Sequence, residues 1–149
     1  MEITFQKKNE LFEDARNIRE EVFVKEQGFV VELDETDKKA VHVVCYDQGC
    51  PIAVGRYFQD EEEGVYHIGR VAIRKEYRGR HIGRNIMKFM EECIRQEGGK
   101  TIHLSAQARV QEFYEKLGYQ ERGESYMEEH CLHIPMEKHL KFKKEIMGS

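Results

Sequence analysis

Proline is scarce in this 149-residue chain, with two residues, Pro51 and Pro135. No Pro- or Ser-rich stretch, low-complexity segment or internal repeat interrupts the sequence, so it offers no linker and no solenoid period. One domain with a real hydrophobic core is the expectation, over residues 1–141, followed by a short tail, 142–149. Cysteine is scarce too: Cys45, Cys50, Cys93 and Cys131 form no CxxC pair and no dense disulfide framework. Cys93 falls on an apolar helical stripe and reads as a small hydrophobe. A reducing, cytoplasmic setting follows most simply. No apolar run reaches the length of a bilayer span. Met1 to Glu10 alternates polar and apolar residues, unlike a signal peptide. Basic excess is missing as well, since 24 Lys and Arg face 28 Asp and Glu for a net charge of -4. That counts against a general nucleic-acid binder.

What charge there is lies unevenly. Positive residues gather from Arg70 to Arg84, and acidic ones at Glu32–Asp37 and Asp60–Glu63. This asymmetry suits a small anionic ligand held at one place.

The pattern of apolar residues predicts the element order β-α-β-β-β-α-β-α-β, a single mixed α/β domain. Ile3–Phe5 reads as a first strand. A helix is expected from about Glu10 to Glu26, with Asn9 as its N-cap and Leu11, Ala15, Ile18 and Val22 on one face. Phe29 to Lys39 is acidic and irregular. Strands are expected at Val41–Tyr46 and Ile52–Phe58, joined by turn-forming Asp47–Pro51, and at Val65–Ile73. A helix from Ile82 to about Gln96 ends at Gly98-Gly99. Thr101–Ala106 is a strand, Val110–Leu117 a short helix, and Tyr126–Glu137 a final strand region in which Pro135 implies an edge or an end.

The most informative stretch is Arg78-Gly79-Arg80-His81-Ile82-Gly83-Arg84, where a strand hands over to a helix. The first amides of a helix lack intrahelical partners, and the macrodipole favours negative charge there. Gly79 and Gly83 permit close approach, and the arginines add fixed positive charge. Together they make a phosphate cradle. The bland reading of Arg78 and Arg80 is a solvated run of surface charge.

The chain resembles the GNAT N-acetyltransferase superfamily, and in Arg19–Gly28 its ElaA-like branch. The Arg/Gln-x-x-Gly-x-Gly/Ala signature matches Arg78–Gly83 after Val71-Ala72-Ile73, and Phe113–Tyr119 matches a second hallmark. One departure stands out: His81 occupies the place of the signature's first Gly, where its side chain crowds a pyrophosphate or, protonated, helps to hold it. The resemblance covers about Met1 to Leu140. It implies a GNAT-like domain with a central, mostly antiparallel twisted sheet flanked by helices. It also implies acetyl-CoA as co-substrate without a metal, and attack of a primary amine of a small molecule or peptide on the thioester. Arg78, Gly79, Arg80, His81, Ile82, Gly83 and Arg84 are then assigned to the phosphates. Val71, Ala72 and Ile73 are assigned to the pantetheine arm and to an oxyanion-stabilising amide. Tyr114 looks like the tyrosine that protonates the departing sulfur, although its position also suits core packing.

The base is open between His67 and Glu26, with a plain surface role for either. Strict alternation puts His67 on the face of Val71, and an ordinary imidazole is suited to taking an ammonium proton. Phe23, Glu26, Gln27, Phe29 and Glu32 are expected at the acceptor pocket, where carboxylates attract a cationic amine. They fit a hydrophilic loop equally well. Gln107 and Arg109 are expected to border the site. His130, Cys131 and His133 invite a metal reading, but no second ligand cluster accompanies them. Competing functions are a non-catalytic CoA-binding or sensing module and nucleic-acid binding through Arg70–Arg84. Partners are expected to be limited to the amine acceptor, with no nucleic acid or membrane, in a monomer or homodimer.

Overall fold

The structure, a computed structural model, describes residues 1–141; the tail 142–149 lies outside the described residues. Its frame is a mixed sheet. β1 (Ile3–Lys8), β2 (Val41–Asp47), β3 (Cys50–Gln59) and β4 (Val65–Ile73) form an antiparallel meander. β4 then pairs in parallel with β5 (Thr101–Gln107), and β5 pairs antiparallel with β8 (Cys131–His139). Two short strands, β6 (Gln120–Glu121) and β7 (Tyr126–Glu128), share the outer edge of β8. The expected last strand is therefore a hairpin. Pro135 sits between the β6 and β7 pairings, where its missing N–H breaks no ladder bond.

Helix α2 (Ile82–Gln96) and the short α3 (Gln111–Lys116) cover one face of the sheet. α2 places Ile82, Ile86, Met90, Cys93 and Ile94 against Tyr57, Tyr66, Ile68 and Ile102. The opposite face carries α1 (Glu13–Arg19), whose Ala15 and Ile18 pack on Val44, Val54 and Ala72. On that side, among the described residues, the α1 cluster reaches β8 only near its start, where Cys131 packs against it and Phe29 meets His133. Apart from Pro135, the outward residues of β5 and β8 next to them are polar: His103, Ser105, Gln107, His133 and Glu137.

The first helix departs from expectation at both ends. It starts at Glu13, with Phe12 extended at the N-cap, so Asn9 caps nothing. Leu11 and Phe12 pack on the α1 core cluster instead of extending the helix. After Arg19 the coil widens into a π-helical segment, Glu20–Glu26, in which the Gln27 amide donates to the Val22 carbonyl at 3.0 Å. Such wide turns are rare and concentrate at functional sites.

Candidate active site

β4 and β5 pair only over Val65–His67 with Thr101–His103, and then diverge. A bulge in β4 accompanies the divergence. Arg56 pairs with Gly69 and Val54 with Ala72, so Arg70 and Val71 together oppose Gly55. Arg70 has φ 51, a left-handed value usual for glycine in such bulges. The fork opens into a cleft of about 1190 Å³ that reaches from the start of α2 to the uncovered side of β5 and β8.

The bulge reverses the alternation of β4. Tyr66 and Ile68 face α2, and so does Val71, whose Cγ2 lies by Gly55 and Met90. Ala72 faces α1, and His67 stacks on Phe58 on that same side. His67 therefore does not share a face with Val71; strict alternation fails because one extra residue is inserted between them.

At the start of α2, His81 is the N-cap in a left-handed conformation, φ 65, without a side-chain cap bond. Gly79 has φ 81. Gly83 serves close packing, since a Cβ there would lie 3.0 Å from the Phe113 ring of α3. Arg84 and Lys88 line the cleft on successive turns, exposed and without a carboxylate partner among the described residues. Two assigned arginines are placed differently. Arg78 donates to both Glu26 oxygens at 2.6 and 2.7 Å and to the Ile73 carbonyl at 2.9 Å, so it is already engaged. Arg80 lies over the Tyr77 ring at 5.3 Å and does not line the cleft. Beyond His67 no strand among the described residues pairs with β4 on the β5 side, leaving that edge open through Ala72. The Ile73 carbonyl is taken by Arg78.

Tyr114 lines the cleft from α3, edge-on to Phe113 and Tyr119. Its hydroxyl has no hydrogen-bond partner among the described residues, and burial pushes its pKa up to about 12.

On the acceptor side both expected carboxylates are neutralised. The Arg78 hydrogen bonds hold the Glu26 carboxyl below its ordinary range, which makes it a poor base. Glu32 is buried against Arg19, with Arg70 at 3.4 Å. Charge pairing within the fold, invisible to sequence spacing, thus removes the free carboxylates expected to attract an ammonium. Phe23 and Phe29 meet edge to face, and Gln27 bonds Gln107 across the cleft at 2.9 Å. His67 Nε2 meets the Asp60 carboxylate at 2.7 Å, and its ring lies 5.5 Å from that of His103. Burial, then the charge of Arg122, lowers the pKa of His103. His103, Arg70 and Lys88 line the cleft beyond the residues expected from sequence. His103 was legible in principle, because Ile102, Leu104 and Ala106 alternate with His103, Ser105 and Gln107. His133 stacks on Tyr126 and His130 tilts against Phe29, and among the described residues no three metal-ligating side chains converge.

The family model for the acetyltransferase (GNAT) domain matches residues 9–140. The chain belongs to the GNAT acetyltransferase family. It is 33% identical over 141 residues to the uncharacterized N-acetyltransferase YjcF of Bacillus subtilis, covering 93% of this chain and 99% of that one. The crystal structure of Escherichia coli ElaA superposes with a TM-score of 0.79 at 26% identity, over 91% of this chain and 99% of ElaA. An aminoglycoside 6′-N-acetyltransferase solved with coenzyme A has the same fold, with a TM-score of 0.75 at 14% identity over 94% of this chain and 98% of that one. As a GNAT acetyltransferase the chain is an acyltransferase, built on the central, mostly antiparallel sheet that the resemblance implied.

Proposed function

We propose that this GNAT enzyme moves the acetyl group of acetyl-CoA onto a primary amine of a small molecule or peptide, by direct attack of the amine on the thioester. The observation that carries the reading is the continuity of one cleft. It joins a helix start whose Arg84 and Lys88 have no carboxylate partner among the described residues, an open strand edge and a largely buried tyrosine whose hydroxyl has no partner among those residues. The coenzyme A held by the aminoglycoside acetyltransferase supports the same co-substrate here. The residues fit it: Arg84, Lys88 and the first amides of α2 offer donors for phosphates, and the β4 edge offers backbone groups to a pantetheine arm.

Acetyl-CoA, when bound, supplies the activated acyl carbon and a thiolate leaving group. An amide of the Val71–Ile73 stretch donates to the carbonyl oxygen as negative charge develops there. Tyr114 remains protonated at neutral pH and gives its proton toward the sulfur. With Glu26 bound to Arg78, His67 is the better base, and Asp60 orients its ring. Its imidazole takes the ammonium proton through water. Four free cysteines suit a reducing cytoplasm, where we place the enzyme as a monomer or homodimer.

Calorimetry with acetyl-CoA, followed by a thiol-release assay across an amine panel, tests the reading. Micromolar binding, about -8 kcal/mol, and turnover of at least one amine are expected. Absence of heat even in dilute buffer ends the assignment. Binding without turnover of any amine returns the chain to the sensing alternative, which membership of an acetyltransferase family does not favour.

A further inference from the structure

We propose that Arg70 is a positioning residue that ties the acceptor-side loop to the β4 bulge, so that the bulge amides are aimed at the thioester only while that loop is docked. The inference rests on the proposed acetyl transfer and adds a coupling between the two halves of the cleft. It starts from the backbone: Arg70 is held at φ 51, where an L side chain is strained and glycine is not. Its guanidinium is also engaged. Nε donates to the Glu32 carbonyl at 3.0 Å, and Nη2 reaches the Asp34 carboxylate at 3.2 Å.

The same loop is fixed from behind. Asp34 accepts two bonds from Arg56 of β3, at 2.8 and 3.1 Å. Asp37 accepts from Arg56 at 2.7 Å and from Arg19 of α1 at 2.8 and 3.0 Å. Arg19 also pairs with Glu32. Three arginines and three carboxylates thus alternate between the first helix, the loop and two strands. Arg70 is the member that stands on the bulge, one residue before Val71, with Glu32, Arg56 and Arg70 itself lining the cleft. A network serving stability alone needs no arginine at a glycine-type position.

The decisive variant is Arg70→Gly, which keeps the backbone comfortable and deletes the tether; Arg70→Lys keeps the charge and loses the forked contact. Amide hydrogen exchange at Val71 and Ala72, acetyl-CoA binding heat, and kcat and KM with whichever panel amine is acetylated are measured for both. Arg70→Gly is expected to speed exchange at these amides about tenfold at an unchanged melting temperature. It is also expected to lower kcat about tenfold or more, with KM for acetyl-CoA within about twofold. Arg70→Lys falls between. Should Arg70→Gly lower the melting temperature, Asp34→Asn, which leaves the bulge residue in place, is measured the same way and must show the same exchange effect. Unchanged exchange and kcat in the folded variants overturn the proposal. If no amine is turned over by the parent protein, the exchange result still decides the tether, while the acetyl-transfer reading fails separately.

Discussion

His81 occupies a backbone position that glycine fills with least strain, and the proposed phosphate cradle is built on that turn. The left-handed conformation costs an L residue about 1–2 kcal/mol, part of which the greater chain entropy of glycine offsets. Replacing His81 with Gly is expected to raise stability by about 0.5–1 kcal/mol, read as a shift of the denaturant midpoint at constant slope. Lower stability on replacement would mean that the imidazole makes a compensating contact. At Tyr114 the expected change is chemical. Tyr114→Phe keeps the ring packing on Phe113 and Tyr119 and removes the proposed proton donor. Turnover should fall about 10²-fold or more, with acetyl-CoA binding heat unchanged. Equal rates in the two proteins would leave Tyr114 as packing.

Between elements, the contact of α2 with α3 depends on the missing side chain of Gly83. A methyl at this point presses on the Phe113 ring. Gly83→Ala should therefore destabilise the fold by about 1 kcal/mol and weaken acetyl-CoA binding, since the helix start is displaced along with α3. Calorimetry and thermal unfolding on one preparation check both. The strand–loop–helix handover itself was readable, because Val71–Ile73 alternates and Ile82, Ile86, Met90 and Ile94 keep helical spacing. The two glycine motifs pointed to the right family for the same reason: they record local backbone demands. The bulge was not readable, since nothing in Gly69-Arg70-Val71 announces an inserted residue, and the parity of His67 came out wrong with it. The partners of Arg78 and Glu32 were equally hidden. Glu26 lies 52 positions from Arg78, and only the folded chain brings the π-helical segment over the end of β4.

For the molecule as a whole, the arginine–carboxylate network and His42 set the response to acid. His42 is fully buried, its Nδ1 without a partner among the described residues, and burial lowers its pKa from 6.5, outweighing the neighbouring Asp37. The unfolded chain binds that proton more readily, so stability declines as pH falls below 6.5. Asp34 is held low chiefly by its hydrogen bonds from Arg56. For Asp37, burial acts to raise the pKa, but Arg19 and then Arg56 prevail and hold it well below the usual range. Folded-state values below 3.8 mean a second loss as pH drops beneath that point. Denaturant unfolding across pH should show both declines, and a flat profile down to pH 3.8 would contradict the burial of a neutral His42. Asp37→Asn, which leaves Arg19 buried without its full charge partner, should cost about 3–5 kcal/mol in the same experiment at neutral pH.

The parting of β4 from β5 has a consequence beyond catalysis. A sheet that forks in mid-course is one rung short, and on the proposed function the acyl donor is the piece that fills it. At a hundredfold excess over its dissociation constant, such a donor adds about 2.7 kcal/mol to the native state. The enzyme would thus be sturdiest when well fed with activated acetate and most vulnerable to proteolysis when starved of it.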